Sequence, residues 1–231
     1  MTTIHFIGGE KGGVGKSVVA RIMAQYMIDS NIPFIGFDTD RSHGALLRFY
    51  TDYASPTIID DYQSLDVIVE TAVAKPEQRI LVDLAAQTHH LLSTWIDESG
   101  VLELAQEEGI NMVYWNVMDS GKDSVELLSK LLDHYGVKLN YVLVQNQLRD
   151  ETFKLLEFSG VKDRALDMGA KVMTVKRLHT PIMTKIDGNN SSFWAARHRD
   201  YDNVNVLGLL DRQRVKMWLN HVYNQLDVLG V

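Results

Sequence analysis

Short apolar runs rich in Ile, Val and Leu alternate along the chain with longer segments in which apolar residues recur at helical spacing. Runs of this kind, which polar residues hardly interrupt, are typical of strands buried on both faces of a parallel sheet. Six strands are predicted: Ile4–Ile7, Phe34–Phe37, Ile80–Leu84, Met112–Val117, Tyr141–Val144 and Lys171–Val175. The helical segments between them include Ser17–Asp29, Asp119–Tyr135 and Glu151–Phe158. The alternation predicts a doubly wound α/β fold, with helices flanking a mostly parallel sheet.

The composition is that of a globular protein: 45% of the 231 residues are hydrophobic and 23% are charged. No linker, repeat or low-complexity segment divides the chain, so we predict one domain spanning residues 1–231. The chain has no cysteine, which excludes disulfides, thiolate metal sites and cysteine chemistry. The first residues do not have the pattern of a secretory signal, and no apolar run is long enough for a bilayer. We therefore expect a cytoplasmic protein.

One segment carries most of the chemical information. The first predicted strand leads through the glycine-rich residues 11–15 into the first predicted helix. Glycines let successive backbone N–H groups converge on phosphate oxygens, and the N-terminus of the helix adds partial positive charge. Lys16 would reach the β and γ phosphates, and the Ser17 hydroxyl would be a ligand of Mg²⁺. The nucleotide-binding residues predicted here are Gly12, Gly13, Val14, Gly15, Lys16, Ser17 and Val18.

The generic phosphate-loop pattern is not matched in full, because Glu10 occupies the position of its first glycine. The stretch K-G-G-V-G-K-S instead resembles the deviant Walker A motif of the ParA/MinD family. This resemblance implies a P-loop NTPase fold of the SIMIBI type, with ATP and Mg²⁺ as cofactors and slow, partner-stimulated hydrolysis. It also makes Lys11 the signature lysine, which in the family reaches across an ATP-dependent homodimer to the other subunit's phosphates. A lysine so placed neutralises charge on the transferred phosphoryl group, as an arginine finger does.

Two carboxylates follow the second predicted strand. Side chains just past the carboxyl end of a parallel strand lie in the crevice where such sheets bind ligands. The resemblance assigns Asp38 to the water shell of the metal and Asp40 to positioning the attacking water. Family members often continue with Pro-Gln, whereas this chain has Arg41 and Ser42, so the resemblance weakens there. A turn that carries acidic residues is the alternative interpretation.

A third carboxylate, Asp83, follows three apolar residues in the predicted strand Arg79–Leu84. An ionised carboxylate in such a run needs a partner, which Mg²⁺ or its bound water would supply. It looks like a Walker B aspartate, and an Asp that caps a helix is the alternative. Gln87 and Thr88 would begin the second switch segment. Asn146 is the candidate for hydrogen bonding to adenine, as an asparagine does in similar proteins, although an ordinary turn residue would look the same.

Charge is unevenly distributed along this chain of net charge −7. Residues 1–161 hold 12 Lys+Arg and 23 Asp+Glu, a balance of −11, whereas residues 162–231 hold 11 and 7, a balance of +4. ParA-like proteins bind DNA non-specifically through scattered C-terminal cations. The corresponding residues would be Lys171, Lys176, Arg177, Lys185, Arg197, Arg199, Arg212, Arg214 and Lys216. A solvated surface of mixed charge is the alternative.

The last segment bears on the output of the predicted ATPase. MinD-like proteins end in an amphipathic membrane helix, but between Val215 and Leu229 the basic residues stand at one end only. We therefore predict a helix packed on the sheet, with membrane binding disfavoured. The predicted protein is an ATP-dependent dimer that partitions or positions DNA or a protein assembly, with roles in plasmid partition or transfer included, and that an adaptor activates. An ATP-dependent amide synthetase of the same fold is the alternative, although the sequence shows no second constellation for a carboxylate substrate.

Overall fold

The strands form one parallel sheet in the computed structural model, which describes residues 2–41, 44–148, 150–198 and 207–231. The strands are β1 (Thr3–Gly8), β2 (Phe34–Asp38), β3 (Ala54–Pro56), β4 (Arg79–Asp83), β5 (Asn111–Met118), β6 (Asn140–Gln147) and β7 (Lys171–Lys176). Their order across the sheet is β3-β2-β4-β1-β5-β6-β7, and each pair of neighbours runs parallel. The predicted fold class is confirmed.

Strand β3 is the one element of the described sheet that the apolar runs do not predict. It has three residues at the edge of the sheet and pairs with β2 alone. Its exposed Pro56 is tolerated there because an edge strand does not need every backbone N–H for the ladder. A search for long apolar runs finds strands buried on both faces, and this strand is not one of them.

The helices lie between the strands along the chain. They are α1 (Lys16–Asp29), α2 (Ala45–Phe49), α3 (Tyr62–Ala74), α4 (His89–Glu98), α5 (Val101–Glu107), α6 (Lys122–Tyr135), α7 (Lys154–Phe158), α8 (Val161–Asp167), α9 (Thr180–Gly188), α10 (Phe193–Arg197) and α11 (Leu209–Leu229). The helix predicted from Asp119 begins three residues later. The Asp119 carboxylate accepts hydrogen bonds from Gly121 N–H and Ser124 Oγ–H, so this residue caps the turn before the helix.

Alternate residues of each strand enter two separate apolar clusters. In β1, for example, Phe6 belongs to one cluster and Ile7 to the other. Helices α3 to α8 cover the first face, and α1, α2 and α9 to α11 cover the second. With both faces of the sheet covered, polar side chains concentrate at the ends of the strands.

The C-terminal helix α11 packs on the second face, as predicted. Its buried residues are Val215, Trp218, Leu219, Val222 and Leu226. The apolar side of the helix is therefore used in the core. Within the residues that the structure describes, no helix combines the length and apolar character needed to cross a membrane.

Candidate functional site

The glycine-rich loop packs tightly against the carboxyl ends of the neighbouring strands. Gly15 has a φ of 95°, and a Cβ atom added there would lie 2.2 Å from the Asn146 side-chain nitrogen. Gly9 has a φ of 144°, and an added Cβ would lie 2.3 Å from the Val117 carbonyl oxygen. Any larger residue at either position would push the loop off the sheet. The glycines thus fix the distance between the loop and strands β5 and β6.

Asn146 lies beneath this loop. Its side chain is buried at the carboxyl end of β6, and its amide nitrogen donates to the Val14 carbonyl oxygen at 2.7 Å. This hydrogen bond ties the loop to the sheet from below. Hydrogen bonding of Asn146 to an adenine stays a prediction, and its contact in the structure is with the loop backbone.

Lys16, the first residue of α1, is almost fully buried. Its Nζ donates a hydrogen bond of 3.3 Å to the Lys11 carbonyl oxygen, which is a neutral partner. Burial lowers the pKa of Lys16, and the nearby charges of Asp83, Glu10 and Asp40 oppose that change. Because this ammonium is already desolvated and its hydrogen-bond partner is a neutral oxygen, it can accept an anionic ligand with little further desolvation cost.

Lys11 is held inside its own subunit. Its Nζ lies 3.1 Å from Asp119 Oδ2 and 3.7 Å from Asp123 Oδ2. Burial acts to raise the pKa of Asp119, but hydrogen bonds from Ser124, Lys11 and the Gly121 N–H outweigh it, so that the pKa is lowered. Asp119 is therefore an ionised, well-oriented partner for this lysine.

Asp38 and Asp83 face each other across adjacent strands. They are aligned in the register of β2 with β4, and both are buried. Asp38 Oδ1 accepts from the Asp40 N–H and Oδ2 from the Leu47 N–H, each at 3.0 Å. A Cβ atom added at Gly44 would lie 3.0 Å from Asp38 Oδ2, so the following loop packs directly on this carboxylate. Burial raises the pKa of Asp38 in spite of these hydrogen bonds.

Asp83 has no such support. Burial, with the charge of Asp38 adding to it, raises its pKa to about 8. The Ser17 hydroxyl and Lys16 are near enough to oppose the rise, but neither Asp83 oxygen receives a hydrogen bond of acceptable geometry from the described residues. Buried carboxylates without donors are costly, and they are concentrated at functional sites.

The predicted metal residues Ser17, Asp38 and Asp83 therefore meet at the carboxyl ends of β1, β2 and β4, beside Lys16. They supply a hydroxyl and two carboxylates. Within the described part of the chain, no group of three or more His, Asp or Glu side chains is arranged to hold a metal ion by itself. A metal bound here would complete its coordination with ligand or water oxygens.

Glu10 has a contact that the sequence does not reveal. Its carboxylate accepts a hydrogen bond of 3.1 Å from the N–H of His89, the first residue of α4, and its carbonyl oxygen accepts one of 3.3 Å from Gln87 N–H. Gln87 has a φ of 62°. The residue that interrupts the generic glycine pattern thus joins the phosphate loop to the predicted second switch. An acidic residue near a helix N-terminus is stabilising, but only the fold shows which helix it meets.

The C-terminal cations do not all lie at one place in the described structure. Lys171 and Lys176 stand at opposite ends of β7, roughly 17 Å apart at the usual rise of a strand. Arg197 pairs with Asp29 at 2.6 Å, and Lys185 and Arg214 both pair with Asp211, at 3.5 and 2.7 Å. Arg199, like Ser42, lies outside the described residues.

Comparison with known proteins finds no matching family model. The chain is 26% identical to protein MobD of Acidithiobacillus ferrooxidans, covering 97% of this chain and 96% of that protein. It is 29% identical to a protein TraL of Escherichia coli over the full length of both, and 28% identical to another over 56% of this chain and 55% of that one. A structure of an Archaeoglobus fulgidus nucleotide-binding protein in complex with ADP has a TM-score of 0.45 and 14% identity, over 75% of this chain and 80% of that one. The chain is thus similar along its whole length to MobD and to one TraL protein.

Proposed function

We propose that this protein is an ATPase of the ParA/MinD kind, which binds Mg–ATP at the carboxyl ends of β1, β2 and β4 and acts in the transfer or partition of a plasmid. The observation that carries the proposal is the buried Asp83 carboxylate, which receives no well-formed hydrogen bond from the described residues and lies beside Asp38, Ser17 and Lys16. A site of this charge and burial is suited to a cation and a polyanion bound together.

The residues fit such a ligand. Lys16 has a neutral hydrogen-bond partner, so its charge is available to the β and γ phosphates. Asp38, Asp83 and the Ser17 hydroxyl are the residues that would hold Mg²⁺ or its water shell. When bound, the metal would neutralise charge on the phosphates. Its positive charge would also favour the ionised form of Asp83, whose pKa is raised in the free protein.

The remaining residues have separate tasks. The backbone N–H of Asp40 donates a hydrogen bond to the Asp38 carboxylate. The carboxylate of Asp40 would accept a hydrogen bond from the attacking water and orient it. Lys11 would leave Asp119 and contact the nucleotide of a second subunit, so that dimerisation exchanges one anionic partner for another. An exchange of ion pairs costs less than exposing a free charge in the interface. This makes an ATP-dependent homodimer the natural form of the active protein.

The names of the relatives support the plasmid role. MobD and TraL are names of plasmid mobilisation and transfer proteins, and the similarity spans the whole chain for one protein of each name. The dimer would act on non-specific DNA or on an adaptor protein that stimulates hydrolysis. The DNA arm depends on the C-terminal cations, of which Arg197 is already paired with Asp29 within the subunit. Cations left on the dimer surface would make DNA binding steeply dependent on salt.

Titration calorimetry with Mg–ATP tests the binding site. The wild-type protein should bind, and Lys16→Ala should weaken binding by roughly 100-fold, because charge-assisted contacts to phosphate are lost in a desolvated site. Lys122→Ala, which removes an exposed lysine from α6, is the matched control and should bind like the wild type. Absence of heat with the wild-type protein at millimolar nucleotide would refute the proposal.

The dimer and the output need their own measurements. Asp40→Ala with Mg–ATP should elute from gel filtration as a dimer, because it binds nucleotide but hydrolyses it slowly, and a persistent monomer would count against the switch.

Filter binding to DNA at low salt, with ATP and with ADP, tests the DNA arm. Phosphate release stimulated by DNA or by an adaptor, but not by small carboxylic acids, would separate this function from that of an amide synthetase.

A further inference from the structure

The first turn of the short helix α10 is held by its own N-cap, Ser192, and by side chains from α1 and from the residue that follows α2. The first N–H groups of a helix have no acceptor within it. Here the Phe193 N–H donates to the Tyr50 hydroxyl oxygen at 3.3 Å, and the Trp194 N–H donates to Gln25 Oε1 at 2.7 Å. Gln25 belongs to α1, and Tyr50 directly follows α2. The position of α10 therefore depends on how α1 and α2 are arranged.

Gln25 and Tyr50 form the centre of this contact. The Tyr50 hydroxyl donates to Gln25 Oε1 at 3.2 Å, and the Gln25 amide nitrogen donates to Asp29 Oδ1 at 3.0 Å. Gln25 and Tyr50 are both buried. Because the hydrogen bond between the Phe193 N–H and Tyr50 is buried, a shift of Tyr50 leaves that N–H group without an acceptor, and water cannot take its place.

A second contact joins the same three helices. The guanidinium carbon of Arg21, in α1, lies 3.6 Å from the ring centroid of Phe49 at the end of α2 and 4.7 Å from that of Phe193 in α10. Arg21 is buried and pairs with Asp187 at 2.7 Å. Its cation thus stacks between aromatic rings that belong to the two other helices. Movement of α2 would disturb this stack as well as the hydrogen bonds.

Helix α2 connects this cluster to the candidate metal site. Asp38 Oδ2 accepts the N–H of Leu47, which lies in α2 three residues before Tyr50. Since α2 has five residues, displacement of Leu47 also displaces Tyr50. Three hydrogen bonds and one helical turn therefore lead from the Asp38 carboxylate to the first turn of α10.

We infer that α10 is an output element controlled by the nucleotide site through α2. The inference rests on the proposed function, because it requires Mg–ATP next to Asp38. When Asp38 turns toward the metal and its water shell, its bond to Leu47 N–H weakens, α2 shifts, and Tyr50 leaves both Gln25 and the Phe193 N–H. Helix α10 then loses the acceptor of its Phe193 N–H, and its first turn, still held by the Ser192 cap and the Arg197–Asp29 pair, loosens on α1. By reciprocity, a partner that binds released α10 raises the affinity for ATP.

Amide hydrogen exchange at Phe193 and Trp194 tests the release directly. The exchange rates are measured with and without saturating Mg–ATP, and nucleotide binding is measured by calorimetry on the same protein. We expect the two amides to exchange at least five-fold faster with nucleotide. Unchanged or slower exchange with bound nucleotide would overturn the inference and leave the proposed function standing. Failure of calorimetry to detect binding would overturn both.

Tyr50→Phe removes the hydroxyl but keeps the ring. In this variant the Phe193 amide should exchange fast already without nucleotide, and Mg–ATP should change its rate less than two-fold. ATP should bind a few-fold more tightly than to the wild type, because the bonds that hold α10 are already lost. Tyr62→Phe is the matched control. It removes a tyrosine hydroxyl that donates to Glu98 at 2.7 Å on the opposite face of the sheet, so it should behave like the wild type.

Trp194 gives a second readout on the unmodified protein, which does not depend on the folding of a variant. Its side chain is 52% exposed and stacks on His198, whereas the other tryptophans, Trp95, Trp115 and Trp218, are at most 8% exposed. Acrylamide quenching therefore reports mainly on Trp194. We expect Mg–ATP to increase the quenching constant about two-fold in the wild type and to leave the quenching constant of Trp194→Phe unchanged. An equal response in both proteins would contradict the release of α10.

Discussion

His5 and Asp83 are both fully buried ionisable residues on neighbouring strands, yet their surroundings differ. His5, near the amino end of β1, accepts a hydrogen bond of 3.1 Å from Trp115 Nε1, and burial, with the charge of Arg79 adding to it, lowers its pKa to about 3. Asp83, at the carboxyl end of β4, receives no hydrogen bond from the described residues, and burial raises its pKa to about 8. One residue stays neutral beside a partner. The other is poised between its two charge states near neutral pH.

The difference separates a buried polar residue that has a partner from a candidate site residue. A neutral imidazole with one hydrogen bond made and its Nε2 without a partner leaves a modest deficit in the core. A carboxylate with two unpartnered oxygens leaves a much larger energetic deficit, and protonation of the carboxylate in the free protein reduces that deficit. Such a group is tolerated where a cation arrives during function. Asp83 combines burial, a neighbouring like charge and two oxygens without a hydrogen bond from the described residues, and this combination marks it as a candidate site residue.

The largest expected effect is that of Asp83→Asn. The folded pKa of Asp83 lies above the unfolded value, so the folded state holds its proton more tightly, and the free protein should lose stability as the pH rises from about 4 to 8. The amide does not ionise, and the variant should escape this loss, which is about 1.4 kcal/mol per pH unit at its steepest. Urea denaturation between pH 5 and 9 measures it.

The same variant should lose function while it gains stability at high pH. ATP hydrolysis should fall by roughly 100-fold, because a metal site without its carboxylate stabilises the transition state poorly. Stabilisation by Mg–ATP in thermal denaturation should also shrink. Parallel stability curves for wild type and variant across this pH range would show that Asp83 is ionised and paired in the free protein.

The second prediction concerns His5→Asn and has the opposite dependence on pH. The folded pKa of His5 lies below the unfolded value, so the unfolded state binds the proton more tightly, and stability is lost as the pH falls from about 6.5 toward 3. Asn keeps a carbonyl acceptor for Trp115 but cannot be protonated. In that window the wild type should lose up to about 1.4 kcal/mol of stability per pH unit, and the variant should not show this loss.

Urea denaturation from pH 4 to 7 gives this difference, and calorimetry at pH 7.5 supplies the functional control. His5→Asn should bind Mg–ATP like the wild type, because His5 lies away from the carboxyl ends of the strands. A large loss of nucleotide affinity in this variant would remove the distinction between the two buried residues.

The smallest effect is expected at Glu10, an ionisable residue that is partly exposed and accepts hydrogen bonds through its carboxylate and its carbonyl oxygen. Glu10→Ala removes the acceptor for the His89 N–H and should cost about 1 kcal/mol of stability, as the loss of an N-terminal cap does. Glu10→Gln keeps an acceptor and loses the charge, so it should cost about half as much. Thermal denaturation compares the two. Equal costs would show that charge, rather than the hydrogen bond, stabilises the start of α4.

The sequence predicts local features of this protein well. Six of the strands in the described sheet, the parallel arrangement and the glycine-rich turn follow from apolar runs and from residues within a few positions of one another. The contacts that complete the site connect distant residues. Glu10 meets His89, Lys11 meets Asp119, and Asn146 meets Val14, which is 132 positions away. Spacing along the chain does not encode such contacts, because they depend on how helices and strands pack.

The order of apolar and polar residues, together with the glycines of residues 11–15, was by itself enough to determine that this chain forms a parallel sheet with a glycine-rich loop after its first strand. That follows because strand burial and glycine turns are decided by neighbouring residues. Tertiary structure alone decided that Asp83 receives no hydrogen bond from the described residues, that Lys11 is paired within its own chain, and that the first turn of α10 is held from α1 and from the end of α2. These properties depend on desolvation and on hydrogen bonds between separate elements, which exist only once the chain has folded.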